Sequence, residues 1–256
     1  MAIMKICNLA SGSTGNCTFI STSKYKILID LGKTKKYLVE KLNSIGVDYQ
    51  DIDYVFLTHT HDDHTSALKT FLKNHKAKLV ITQKMFMELR EIDNLNILIY
   101  EDDPEIEGLD IKSYRMSHDT GDTRAFVITE GESSLVYITD TGYVNSRYFK
   151  ELKGKSLYFI ESNHDIEMLT HGPYPEWLQK RVLSDVGHLS NKFAGIYLSK
   201  LIDQNTKNIL LLHLSEKNNS EECALQTVIG SLSEINFNSS IIKCAKPNEI
   251  SEVYTI

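Results

Sequence analysis

Six consecutive residues, His59-Thr60-His61-Asp62-Asp63-His64, carry three imidazoles and two carboxylates directly after the apolar run Tyr54-Val55-Phe56-Leu57. Neutral imidazole nitrogens and carboxylate oxygens are the donor set suited to zinc, manganese or iron. Without a cation, those groups would need several other polar partners at the end of a strand. The spacing H-x-H-x-D-H is far more restrictive than a chance pair of histidines on a polar helix. The segment therefore points to a metal site.

The elements around it are those that would position ligands. Residues 53–58 read as a buried strand because apolar, β-branched and aromatic side chains run together. Asp62-Asp63-His64-Thr65 opens a helix, and Ala67, Leu68, Phe71 and Leu72 continue it at helical spacing. A helix N-terminus at this turn would keep Asp63 ionised and favour neutral His64. Ser117-His118-Asp119 follows the strand Leu109–Arg115, Asp140 ends the run Leu135–Thr139, and His213 ends the run Ile209–Leu212. Singly, each suits a cap or turn as well as a ligand. Jointly, strand ends bearing His or Asp mark one sheet edge where loops converge. Strands and helices alternate in two similar halves, with helices near 34–45, 63–73, 174–184, 191–202 and 221–232, which describes an α/β layered domain.

In that order, His59, His61, Asp63, His64, His118, Asp140 and His213 resemble the ligand motifs of the metallo-β-lactamase superfamily. Asp30, after Ile27-Leu28-Ile29, resembles its first, structural motif, and the match spans nearly the whole chain. The resemblance implies a single αββα sandwich over residues 1–256 with two divalent metal ions. His59, His61 and His118 would bind one ion, Asp63, His64 and His213 the other, with Asp140 bridging. Ser11–Asn16, Glu161-Ser162-Asn163-His164-Asp165, Gly172–Pro175, Gly187-His188-Leu189-Ser190-Asn191 and Leu212–Asn219 are similar to the YycJ family, also called WalJ. Its members are bacterial cytoplasmic hydrolases associated with 5′-to-3′ exonuclease action on DNA.

Departures from sibling families narrow the reading. A zinc β-lactamase would place Cys where Asp140 stands, and ribonuclease Z would carry a substrate-clamping insertion between the positions of His118 and Asp140. Ribonuclease J would insert a domain before His213, and glyoxalase II would append a helical region after it, whereas the tail here reads as one helix and one strand. The implied activity is a metal-dependent phosphodiesterase, a 5′-to-3′ DNA exonuclease, in which a hydroxide bridging two zinc or manganese ions attacks in line. Iron is accepted by the same donors. The catalytic set is Asp63, His188 and Glu161: by analogy with the similar pair in ribonuclease Z, His188 protonates the leaving oxygen and Glu161 orients it. On its residue type alone, His188 also suits a helix-capping role before Leu189-Ser190-Asn191. The alternative is a small-molecule metallo-hydrolase acting on a thioester, lactone or cyclic phosphodiester. A binding module without catalysis is disfavoured, since every ligand-type residue and a proton donor are present.

Composition sets the remaining expectations. The chain of 256 residues, 41% hydrophobic, can bury a full core in one domain and shows no linker, repeat or transmembrane run. Met1–Ile6 is too short for the apolar core of a signal peptide. Cys7, Cys17, Cys223 and Cys244 lack CxxC spacing, which suits reduced thiols in a cytoplasmic protein. Lysine and arginine total 28 against 34 acidic residues, a net charge of −6, so a DNA partner needs local help. Lys33, Lys35, Lys36, Lys180 and Arg181 offer a basic rim, or simply solvated helix faces. RNA or a small molecule is a lesser alternative to DNA, and no membrane partner is expected. Ser11–Asn16 lines the site through backbone N–H groups or forms a tight turn. Tyr174 and Trp177 could stack a base, core packing being the plainer use. His164 reads as a substrate-facing or surface-loop residue, and His75 and His171 as solvated.

Overall fold

The structure, a computed structural model, describes residues 3–235 and 238–256. The chain enters through β1 (Lys5–Ala10), β2 (Cys17–Ser21) and β3 (Lys26–Ile29). It then alternates through α1 (Lys35–Ser44), β4 (Tyr54–Phe56), α2 (Asp62–Thr65), α3 (Leu68–Leu72), β5 (Lys78–Thr82), α4 (Gln83–Glu88) and β6 (Ile97–Tyr100). The second half repeats the scheme with β7 (Asp110–Met116), β8 (Thr123–Glu130), β9 (Ser133–Ile138), α5 (Phe149–Leu152) and β10 (Leu157–Glu161). It continues with α6 (Ile166–Thr170), α7 (Glu176–Leu183), α8 (Asn191–Leu201), β11 (Asn208–Leu212), α9 (Glu221–Leu232), β12 (Ile242–Cys244) and β13 (Tyr254–Thr255).

These strands form two sheets, ordered β13-β1-β2-β3-β4-β5-β6 and β12-β11-β10-β9-β8-β7. In the first sheet β1–β3 pair antiparallel and β3–β6 parallel, and in the second β7–β9 pair antiparallel and β9–β12 parallel. Alternation along the strands explains the layering. Ile27, Ile29 and Phe56 join Tyr137, Phe159, Leu210 and Leu212 in a core between the sheets. Leu28 and Val55 turn outward under α1 and α3, while Val136, Ile138, Ile209 and Leu211 turn outward under α8 and α9. Strands buried on both faces require the near-continuous apolar runs seen in the sequence. The result is the expected αββα sandwich.

Three local expectations are corrected. The helix expected over 63–73 is two short helices, because the amide of Ala67 donates to Leu31 O (2.9 Å) and Asp63 O accepts from Asn16 N (2.8 Å). Those bonds tie the turn to the neighbouring loops at the expense of helical continuity. Among the described residues, the tail after His213 carries two strands, and β13 pairs antiparallel with β1 at the edge of the first sheet. Helices α4, α5 and α6, of 6, 4 and 5 residues, are too short to leave a periodic signal. Among the described residues, no helix is long and apolar enough to cross a membrane, and all four cysteines are free thiols.

Phe56 is wholly buried between the sheets and meets Phe126 edge-on, with ring centroids 5.4 Å apart. Phe56→Ala should cost about 3–5 kcal/mol. Urea titration should show this as a lower midpoint with an unchanged slope.

Candidate metal centre

Three of the strands that feed the site end on a non-glycine residue in the left-handed backbone region: Asp30 after β3 (φ 64°), Asp140 after β9 (φ 50°) and His213 after β11 (φ 56°). Side chains with a Cβ rarely adopt this conformation, and it concentrates where a fold must aim a functional group. The turns bring nitrogen and oxygen donors of His59, His61 and His118 within 4.8 Å of one another. Asp63, His64, Asp140 and His213 make a second such group, and Asp140, Glu161, His188 and His213 a third. Asp140 stands between them, with Oδ1 4.0 Å from His118 Nε2 and Oδ2 3.2 Å from His64 Nε2. Every ligand-type residue singled out in the sequence, together with Glu161 and His188, reaches this one place.

The imidazoles are aimed by bonds on their far side. Nδ1–H of His64 donates to Asp30 Oδ2 (2.8 Å), that of His118 to Gly187 O (3.0 Å), and that of His213 to Glu161 Oε1 (3.1 Å). His59 Nδ1 lies 3.0 Å from Thr58 Oγ1, whose own hydroxyl donates to Asp30 Oδ2 at 2.8 Å. These partners fix the tautomers and turn Nε2 inward. Nε2 of His59, His118 and His213 is buried without a hydrogen-bond partner. A buried polar atom left alone costs about 1–3 kcal/mol. Such buried nitrogens, gathered with the carboxylates of Asp63 and Asp140, are a donor set that fits a divalent cation once His213 gives up its proton.

Burial, together with His64 and Asp140, is what sets the charge on His59, and the net result holds it neutral, well below its usual range. Burial likewise lowers His118. His64 behaves otherwise. Burial opposes its protonation, but Asp30 and Asp140 outweigh that and hold it well above the usual value. The expected preference of the helix N-terminus for neutral His64 is thus overridden in the metal-free chain. Burial opposes the proton on His213 as well, yet Asp140, Asp63 and Glu161 outweigh it and raise this imidazole to about 10. In spite of burial, the same imidazolium groups depress Asp140 and Asp63. Protons on His64 and His213 therefore occupy the place a cation would take.

The glycine-rich loop between β1 and β2 is a tight turn that also lines the site, through side chains. Ser11 Oγ accepts from His213 N (2.7 Å), and Asn16 Nδ2 donates to Asp63 Oδ2 (3.2 Å) and Gly12 O (3.1 Å). At Gly32, a Cβ would run into Asp63 O and Asn16 N, so only glycine allows this close approach. Glu161 accepts at Oε1 from His188 Nδ1 (2.7 Å) and at Oε2 from Thr141 N (2.9 Å) and Leu189 N (3.2 Å). The helix cap of α8 is Ser190, which accepts from Phe193 N, leaving His188 free of that role. Asp119 was not picked out by the sequence, where a lone Asp after His118 carries no signal. It joins Arg181 Nε (2.6 Å) to the site, lying 3.5 Å from His61 Nε2.

Other expectations divide. The basic rim is split: Lys35 sits over the Tyr49 ring, Lys180 pairs with Glu176, and Lys33 bonds Thr14 and Asn248, while Arg181 reaches the ligand cluster through Asp119. Trp177 is 66% exposed, so core packing is not its use. His164 is buried, not part of a surface loop. His75 is half-buried with Nε2 on Tyr49 O (2.9 Å), and only His171 of this pair is solvated.

Comparison with known proteins identifies the family and the fold. A family model described as the metallo-beta-lactamase superfamily matches residues 10–186. Exodeoxyribonuclease YycJ of Bacillus anthracis is 32% identical over 235 residues, 90% of this chain and 89% of that protein. Exodeoxyribonuclease WalJ of Streptococcus pneumoniae (strain ATCC BAA-255 / R6) is 32% identical over 241 residues, covering 91% and 90%. The chain belongs to the metallo-β-lactamase superfamily of hydrolases and, within it, to the YycJ/WalJ family. Two solved structures share the fold. The metallo-beta-lactamase fold protein YhfI from Bacillus subtilis superposes with a TM-score of 0.73 at 16% identity, covering 98% of this chain and 99% of that one. The short form of human tRNase Z gives 0.68 at 13%, covering 98% and 99%.

Asp30→Asn removes the anion that holds His64 and Thr58. It should weaken metal affinity by about 10–100-fold, read by chelator competition, with the fold retained in circular dichroism. Loading the metal-free protein with zinc at pH 7 should release protons from His64 and His213. Calorimetry in buffers of differing ionisation enthalpy measures that release, and a heat independent of buffer would contradict the charge assignment.

Proposed function

We propose that this hydrolase is a dinuclear metal-dependent phosphodiesterase acting as a 5′-to-3′ exodeoxyribonuclease in the cytoplasm. His59, His61 and His118 would hold one ion, and Asp63, His64 and His213 the other, with Asp140 shared between them. The carrying observation is a proton donor beside a cation-ready pocket: His188 bonded to Glu161 at 2.7 Å, next to the unpartnered Nε2 atoms. The relatives named exodeoxyribonuclease supply the substrate class. His and Asp donors accept zinc or manganese, and iron as well.

Bound there, divalent cations supply a strongly nucleophilic water at neutral pH and offset charge on the phosphoryl oxygens. The chain does the rest. Asp63, at 22% side-chain exposure far more open to solvent than Asp140 at 2%, is held by Asn16 and orients the attacking water. Burial works against the charge of Glu161, but His188 and His213 outweigh it and keep the group ionised. Glu161 holds Nδ1–H of His188 and so leaves Nε2 to carry the transferable proton. As the P–O bond breaks, that proton passes to the leaving 3′-oxygen, and the net change is one water added across the phosphodiester. His188 is 19% exposed in its side chain and is recharged from solvent. The overall charge of −6 does not repel DNA from the centre uniformly, since Arg115 and Arg147 line a polar cavity of about 270 Å³ that reaches His118.

His188→Ala should keep its metal content in elemental analysis and lose about 10²–10⁴-fold in turnover. Metal loss, or unchanged turnover, would remove His188 from the proton-donor role. Protein reconstituted with manganese or zinc should shorten 5′-labelled duplex DNA progressively. Inertness toward DNA and RNA together with rapid hydrolysis of a small ester would favour a small-molecule hydrolase instead.

A further inference from the structure

Resting on that nuclease reading, a second cavity gives the substrate a more specific seat. It has a volume of about 290 Å³, and among its walls are Tyr143, His164, Asp185, His188, Phe193 and Tyr197. His188 belongs both to this cavity and to the group around Asp140, so whatever fills the cavity lies beside the proton donor.

Four features of the cavity describe its occupant. Its volume is at the lower bound for small-molecule sites, about 300 Å³, which suits a single ring system. Its mouth is aromatic: Phe193 is 46% and Tyr143 39% exposed, large rings that nothing in the chain covers among the described residues. Phe193 already stacks on Tyr197, with centroids 6.2 Å apart and planes at 28°. At the other extreme of burial, His164 is 1% exposed, and both of its ring nitrogens lack a partner. Burial holds it down to about 4, so it is neutral and offers one N–H donor and one acceptor. Finally, the carboxylate of Asp185 on the wall disfavours a phosphate there. A flat, uncharged ring with a hydrogen-bonding edge satisfies all four.

We infer that this cavity receives the base of the terminal nucleotide whose 3′-oxygen His188 protonates, with Phe193 and Tyr143 against the ring and His164 toward its polar edge. Stacking alone contributes enough to matter, about 1–3 kcal/mol per base in single-strand binders. The His164 edge adds a contact that an abasic sugar cannot make. The pocket thus couples recognition of the terminal nucleotide to placement of its leaving oxygen.

The test compares two 5′-phosphorylated oligodeoxynucleotides that differ only in a tetrahydrofuran abasic residue at the 5′ end, cleaved by the manganese-loaded enzyme. Loss of the base should lower kcat/KM by roughly 5- to 150-fold, from the stacking magnitude. Phe193→Ala, a surface position on α8, should bring a comparable loss on the intact oligonucleotide and add little on the abasic one. Equal kcat/KM for the two oligonucleotides overturns the pocket and leaves the nuclease standing. Full additivity of the two losses overturns it as well, because the ring would then not touch the base. Absence of cleavage on both oligonucleotides removes the nuclease reading and the pocket with it.

Discussion

One carboxylate shut away from water aims the front half of the metal centre. Asp30 has no exposed surface and accepts three bonds of 2.8 Å, from Thr58 N, Thr58 Oγ1 and His64 Nδ1. Burial pushes its pKa up, and His64 and Thr58 work against that push. Hydrogen bonds to a charged group contribute about 1.5–3 kcal/mol each, so the arrangement holds only while all three are made. Through Thr58 the brace reaches His59, and through His64 it reaches Asp140. The left-handed backbone at Asp30 is part of the same device, since it turns the carboxylate back over the end of β4. Strain at that residue is sustained by the bonds it enables.

The second half of the sandwich uses polar networks of a different kind for the same purpose. Ser162 Oγ donates to Asn191 Oδ1 (2.7 Å), Asn191 Nδ2 to Asn219 Oδ1 (2.8 Å), and Asn219 Nδ2 returns to the carbonyls of Ser162 (2.9 Å) and Asn163 (3.0 Å). Asn163 Nδ2 donates to His213 O at 2.9 Å. Each segment belongs to a loop carrying a side chain of the candidate site: Glu161, His188 or His213. A closed ring of side-chain amides fixes three loops relative to one another without touching the chemistry. Such a network is rigid because every member is satisfied, and a gap in it would leave a buried amide unpaired.

How far the sequence speaks follows from what each residue has to do. The hexapeptide, His118, Asp140 and His213 are legible because coordination restricts residue type and spacing together. The sandwich is legible because strands buried on both faces need unbroken apolar runs, such as Ile209-Leu210-Leu211-Leu212 in β11. The break in the helix after Thr65 is not, since it depends on Leu31 and Asn16 arriving from elsewhere in the chain. The segments holding Asn16, Ser162, Asn191 and Asn219 stand out in the sequence, but the bonds these side chains make do not, and Asp119 gives no signal of its own, for the same reason: a short polar side chain in a loop reads as turn chemistry until its distant partner is known. Trp177 misleads in the opposite direction, because an aromatic residue on an amphipathic helix is a poor guide to which face the fold leaves open.

Net charge is a weak guide to what a centre of this kind can bind. Screening confines each exposed charge to about 10 Å at moderate salt, so distant acidic residues count for little at the metal cluster. Near it the balance of charge differs from wall to wall. Arg115 and Arg147 line the cavity that reaches His118, with Asp122 beside them 3.6 Å from Arg115 and 3.0 Å from Arg124, whereas Asp185 lines the one beside His188. Tyr143 contributes to both, so a single ring stands between a cationic compartment and an aromatic one. A nucleic-acid strand alternates anionic phosphate with flat neutral base, and on the proposed nuclease reading it would meet a matching alternation in these adjoining compartments. An uncharged ester or lactone would make use of the aromatic side alone and would not engage the guanidinium groups of Arg115 and Arg147.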